Sequence, residues 1–119
     1  MREELVEAVL RVVESIPAGH AATYGMIARA VGTGPRVVGR IMHDWGGSVP
    51  WWRVVNVHGT FPTTARGDGL SHWEKEGMRH DPARGKLVLS ACLVDQGWLD
   101  TVAQTVLEDL RNSAEMSDL

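Results

Sequence analysis

Between Thr23 and His43 two short stretches of apolar residues are separated by Gly32-Thr33-Gly34-Pro35. That punctuation constrains the chain more than any other feature, because it confines each stretch to a short helix. Thr23 reads as an N-cap, and the first helix is predicted to run from Tyr24 to about Val31, with Ile27, Ala28 and Val31 on its apolar side. Pro35 suits the first turn of the next helix, where its missing N–H costs little. That helix is predicted from Arg36 to about His43, with Val37, Val38, Ile41 and Met42 apolar. Two short helices around a glycine-containing turn resemble a helix-turn-helix, a pattern that many helical hairpins share.

The flanks extend this picture. Leu5, Val9, Val12 and Val13 recur at helical spacing, so Glu3 to Ser15 is predicted helical, with Glu3, Glu4 and Glu7 where the helix dipole favours acids. Ile16-Pro17-Ala18-Gly19 ends it in a turn. Gly46-Gly47-Ser48 is a turn, Trp52 to Val57 reads as a strand, and His58-Gly59 turns again. Phe61 to Leu70, with its Pro, Thr and Gly, is expected to be a loop. Ser71 to Met78 is expected as a short helix, Leu87 to Leu89 as a short strand and Leu99 to Leu110 as a helix, with Asn112 to Leu119 frayed. The 119 residues suggest one domain, mostly α with a small β element, in a winged helix-turn-helix arrangement. Residues 1–92 are read as that domain and 93–119 as an acidic, partly helical extension that either packs as an extra helix or docks a partner.

Charge is unevenly distributed. From Pro17 to Arg66 there are five arginines (Arg29, Arg36, Arg40, Arg53 and Arg66) and one acid, Asp44, for a net of +4. This leaves −7 for the remainder of a chain whose total is −3. A basic middle between acidic ends permits local phosphate binding, although scattered solvated arginines would give the same count. The single cysteine cannot form an internal disulfide, no apolar run is long enough to span a bilayer, and the polar N-terminus does not read as a secretory signal. A cytoplasmic protein is expected, nucleoid-associated if bacterial.

Few residues offer chemistry. His20, His43, His58, His72 and His80 lack zinc-type spacing and have no carboxylate cluster beside them, so neither a metal nor another cofactor is expected. An enzyme using His58 or His72 ranks last, for want of partner residues. Cys92, set in Leu89-Ser90-Ala91-Cys92-Leu93-Val94, reads as a buried structural thiol. The tryptophans remain. Trp51 and Trp52 are adjacent, so on a strand one of them would face away from the core and be exposed or line a pocket. Tryptophan is also a good stacking surface for a base. Packing of both under the following loop is the simpler alternative.

Four motifs occur in order: Ile16-Pro17-Ala18-Gly19, Ala22-Thr23-Tyr24-Gly25-x-Ile27-Ala28, Gly34-Pro35-Arg36-Val37-Val38-Gly39-Arg40, and Val49-Pro50-Trp51-Trp52-Arg53-Val54-Val55. Together they resemble the C-terminal DNA-binding domain of the O6-alkylguanine-DNA alkyltransferases, over roughly Leu5 to Leu89. Those enzymes carry Pro-Cys-His-Arg-Val, whose cysteine accepts the alkyl group. Here Trp51 stands at the cysteine position and Trp52 at the histidine position. The sequence thus resembles the alkyltransferase-like proteins, which bind O6-alkylguanine without dealkylating it and are understood to hand the lesion to nucleotide excision repair.

The resemblance implies a non-enzymatic, monomeric protein whose partners are double-stranded DNA containing O6-alkylguanine and proteins of nucleotide excision repair, with no membrane. It sets Tyr24 against the tyrosine that presses on the phosphate beside the target nucleotide. Arg36 corresponds to the arginine that fills the vacated base position, and Gly39 to a glycine that lets the helix approach DNA. Trp51 lines the pocket of the flipped base, and Trp52 and Arg53 belong to the same lesion-binding segment. Arg66 corresponds to a loop arginine that contacts the guanine. Whether Trp52 faces the pocket or the core stays open at this point. The alternative function is a winged-helix transcription regulator of undamaged DNA.

Overall fold

The structure, a computed structural model, describes residues 3–61 and 66–117. The first helix, α1 (Glu3–Ser15), buries Ala8, Val9, Val12 and Val13 on one side. A two-residue strand β1 (Ala22–Thr23) leads directly into α2 (Tyr24–Val31), and a turn leads on to α3 (Pro35–Trp45). Thr23 is the N-cap expected for α2: its hydroxyl accepts a hydrogen bond from the Met26 backbone N–H at 3.1 Å. The end of α2 closes through Gly32 and Thr33 N–H groups that both donate to the Ala28 carbonyl. Helix α3 begins at Pro35 and runs to Trp45, one residue earlier and two later than the apolar pattern suggests.

Helices α1, α2 and α3 share one core with α5 (Gln96–Ser117). The acidic extension therefore contributes to the first core: Leu99 and Ala103 are fully buried and Val106 nearly so. The helix starts three residues before the expected Leu99, because Asp95 caps it, accepting from the Trp98 N–H at 3.0 Å. It also continues through Asn112 to Ser117, where fraying was expected.

A second, smaller core gathers Ala21, Val55, Trp73, Met78, Leu87 and Cys92. It lies under two small sheets. β1 pairs in parallel with β2 (Val54–Val55), Ala22 opposite Val54 and Thr23 opposite Val55. β3 (His80–Asp81) and β4 (Lys86–Leu87) form an antiparallel hairpin, the wing. The strand expected over Trp52 to Val57 is shorter than its composition suggests, since Trp51–Arg53 form a 3-10 turn and only Val54–Val55 pair. The strand expected at Leu87 to Leu89 ends at Leu87, and a 3-10 turn follows at Leu89–Ala91.

Helix α4 (Arg66–Lys75) corrects a further expectation, because its first turns fall in the stretch read as a loop. Gly67 and Gly69 suggested that loop. Gly69 is instead buried against Phe61, where a Cβ would run into the phenyl ring. The glycine permits close packing of the helix on an aromatic side chain, a reason that composition does not reveal.

Candidate DNA-lesion site

The 3-10 turn at Trp51–Arg53 leaves the face alternation of a strand behind, so Trp51 and Trp52 are both half-buried. They meet edge to face, with ring centroids 5.8 Å apart and planes at 83°. Trp51 also meets Phe61 at 5.5 Å and His72 at 5.9 Å, again edge to face. Trp52 stacks flat on the His72 imidazole, 3.7 Å away with the planes within 5°. Its indole N–H donates to Glu76 Oε2 at 2.7 Å. Trp52 thus packs between His72 and the carboxylate of Glu76, against the second core.

Beneath this pair lies Trp73, fully buried. Its ring stacks on Phe61 at 4.7 Å, and its indole N–H donates to the Trp52 carbonyl at 2.8 Å. Burying an indole demands a partner for its N–H, and here that partner is the backbone of the turn carrying the other two tryptophans. Truncating so buried a tryptophan costs about 3–5 kcal/mol in other proteins, so this anchor is substantial.

Arg53 extends away from Trp51. Its Nε and Nη2 donate to the two carboxylate oxygens of Glu76 at 3.0 and 2.8 Å, and its Nη1 donates to the Ile16 carbonyl at 2.8 Å. Both side chains are largely shielded, at 15% and 12% exposure. Glu76 further accepts from the Gly19 N–H at 2.9 Å. Burial alone would raise its pKa, but hydrogen bonds from Arg53, Gly19 and Trp52, together with the charge of Arg53, outweigh that and hold it below the usual carboxylate value. A bidentate, shielded pair like this one is far more consequential than the exposed Arg40–Asp44 contact at 3.8 Å.

The other expected residues stand apart from the aromatic cluster. Tyr24 opens α2 directly after β1, half-buried against the first core, and that burial pushes its phenol pKa up. Arg36, on the first turn of α3, is exposed and has no partner among the described residues. Gly39 lies one turn further along, and a Cβ there would meet nothing within 4 Å. No ring contact or hydrogen bond joins Tyr24 or Arg36 to Trp51 among the described residues. The β1–β2 pairing ties the start of α2 to the Trp51–Arg53 turn. Arg66 begins α4, and its side chain lies outside the described residues.

Four residues of this region were not singled out as members of the site: Phe61, His72, Trp73 and Glu76. His72 had been weighed only as a catalytic residue without partner residues; here it stacks on Trp52. A signal was present, because His72 and Glu76 are four apart within an expected helix and so share a face. The remaining thiol, Cys92, is buried, its pKa is pushed up by that burial, and its Sγ lies 3.5 Å from the Val88 carbonyl. Among the described residues no group of three or more His, Cys, Asp or Glu could hold a metal ion. None of the described helices is long and apolar enough to cross a membrane.

Two helices joined by a tight turn, a β-hairpin wing and an aromatic cluster beside them define a small winged helix-turn-helix protein. Residues 4–78 match the family model described as 6-O-methylguanine DNA methyltransferase, DNA binding domain. The chain belongs to this family, as an alkyltransferase-like member. It is 40% identical over 60 residues to proteins called DNA base-flipping protein in Escherichia coli K12 and Shigella flexneri, a match covering 47% of this chain and 46% of each relative. The match thus spans less than half the length of these curated relatives. Among solved structures, S. pombe Atl1 in complex with damaged DNA containing O6-carboxymethylguanine superposes with a TM-score of 0.69 at 33% identity, covering 80% of this chain and 99% of that one. A second S. pombe ATL structure in complex with DNA gives 0.68 at 34% identity, with the same coverage.

Proposed function

We propose that this protein binds O6-alkylguanine in duplex DNA by rotating the nucleotide out of the stack, holds it without removing the alkyl group, and marks it for nucleotide excision repair. The observation that carries the reading is the Trp51–Trp52 pair, anchored on Trp73, His72 and Glu76, in the segment that resembles the alkyl-accepting Pro-Cys-His-Arg of the alkyltransferases. An indole N–H donates hydrogen bonds and is not a useful nucleophile. Cys92 is buried in the second core, which pushes its pKa up and disfavours the thiolate. The relatives support the binding half of the proposal, since one solved neighbour holds damaged DNA containing O6-carboxymethylguanine and two curated relatives are called base-flipping proteins.

Alkylation at O6 removes the N1 proton of guanine and weakens its pairing with cytosine. Extrusion costs a few kcal/mol in total, and least for such a weakened pair, which is itself a source of selectivity. Arg36, exposed and without a partner among the described residues, is placed to fill the vacated position, while Tyr24 presses on the adjacent phosphate. Trp51 forms a wall of the receiving pocket. Stacking on an aromatic ring returns about 1–3 kcal/mol, and each buried CH₂ of the adduct adds about 0.8 kcal/mol. Arg53 acts through Glu76, holding the turn in place rather than touching the base. Arg66 is proposed to contact the guanine from the start of α4.

The test is a titration of O6-methylguanine and undamaged duplexes at one stated salt concentration. Tighter binding of the damaged duplex is expected, with Arg36→Ala and Tyr24→Ala each weakening it at least ten-fold. The protein recovered after incubation should carry no added methyl group by mass spectrometry. Equal affinity for both duplexes would instead favour a regulator of undamaged DNA, and a methylated Cys92 would end the non-enzymatic reading. The repair half is checked by incision of the same duplex in a reconstituted excision reaction, where adding the protein should raise the yield.

A further inference from the structure

A cleft of about 660 Å³ lies between α1 and the end of α3, away from the aromatic cluster. Its floor is apolar: Val6 and Leu10 of α1, and the indole of Trp45, which is 58% exposed. An indole this exposed, beside two half-buried aliphatic side chains, leaves apolar surface in water that a partner could cover. Its rim is acidic. Glu3 and Glu7 line the α1 side at the same helical stripe as Val6 and Leu10, and Asp44 lines the α3 side. Arg40 is the one cation among the described lining residues, and its 3.8 Å contact with Asp44 is highly exposed and therefore weak; Asp44 also lies 3.0 Å from the exposed His43 imidazole. Arg11, one turn along from Glu7, makes a similarly exposed pair with it.

We infer that this cleft is a docking site for an amphipathic helix of a partner protein, with apolar anchors flanked by lysine or arginine. Charge chooses the occupant. DNA and an anionic lipid surface would both bring negative charge to Glu3, Glu7 and Asp44. A second copy of this chain would bring the same acidic rim. A basic helix supplies apolar side chains for the floor and cations for the rim, which is the helix-in-groove mode of peptide recognition. The position fits simultaneous use of both surfaces. Arg36 and Trp45 lie about two and a half turns apart on α3 and so point to opposite sides of it, with the cleft-lining Arg40 and Asp44 between them. A partner in the cleft could therefore be held while the other face of α3 lies against a duplex.

The test is a displayed library of helical peptides selected on the full chain and counter-selected on Trp45→Ala. The expected winners carry large apolar residues at i, i+3 or i+4 with lysine or arginine beside them. Their affinity should fall at least ten-fold on Trp45→Ala and on the Glu7→Lys, Asp44→Lys double variant. Trp45→Ala should keep its circular dichroism spectrum and bind the O6-methylguanine duplex within two-fold of the parent, so that failure of the cleft and failure of lesion reading register in separate assays. The inference is overturned if no Trp45-dependent peptide emerges, or if the winners are acidic or uncharged. It is likewise overturned if sedimentation shows a Trp45-dependent dimer of the chain itself.

Discussion

At Gly39 the requirements of folding can be tested apart from those of the proposed DNA contact. The residue sits inside α3, where glycine is less favourable than alanine by about 0.8–1.0 kcal/mol, and, its own stretch of helix backbone aside, no described residue comes within 4 Å of where its Cβ would be. Gly39→Ala is therefore expected to raise stability slightly, by up to about 1 kcal/mol, in a denaturant titration. If the helix meets a duplex at this face, the added methyl lies between the two backbones, and affinity for the O6-methylguanine duplex should fall several-fold in the same variant. Unchanged affinity would move the DNA face away from Gly39. The glycine was legible in the sequence through its motif, whereas the open space around it was not. Trp52 was the reverse: its identity stood out, but its partners His72 and Glu76 lie 20 and 24 residues away, beyond the reach of local pattern.

At the level of elements, α1, α2 and α3 were readable because their apolar residues repeat at a period that local sequence displays, whereas glycines hid the start of α4. The Trp51–Arg53 turn was not, because tryptophan and valine favour strands and tertiary anchoring decided against one there. That anchoring is Glu76, just past the end of α4, which receives Trp52, both ends of the Arg53 fork and the Gly19 N–H. Removing one member of so shielded a pair strands the other, and Glu76→Ala should cost about 3–5 kcal/mol of stability. The carboxylate also makes the turn sensitive to acid. Its folded-state pKa is held below the ordinary value of 4.5, so its contribution is fully present above that value and is lost as pH falls through the lower, folded one. Thermal melts from pH 7 downward should show a loss of stability below about pH 4.5 that is smaller in Glu76→Gln, which has no carboxylate to protonate. Parallel losses in parent and variant would assign the acid sensitivity to other carboxylates.

Across the whole molecule, α5 turns what reads as an acidic appendage into part of the first core, so most of the negative charge stays on the same compact unit as the basic middle. Duplex binding is then a contest between local arginines and a net charge of −3, and salt separates the contributions. Each phosphate neutralised contributes about −0.9 to the slope of log affinity against log salt. Two or three such contacts, from cations such as the exposed Arg29 and Arg40, would give a slope of about −1.8 to −2.7 and a loss of about ten- to forty-fold between about 50 and 200 mM salt. On the proposed reading, preference for the lesion has a different origin, in a weakened base pair and stacking on Trp51, and neither releases counterions. The ratio of damaged to undamaged affinity should therefore stay within about two-fold across the same salt range while both affinities fall together. A ratio that collapsed with added salt would place the discrimination in phosphate contacts, and the aromatic wall would lose its part in it.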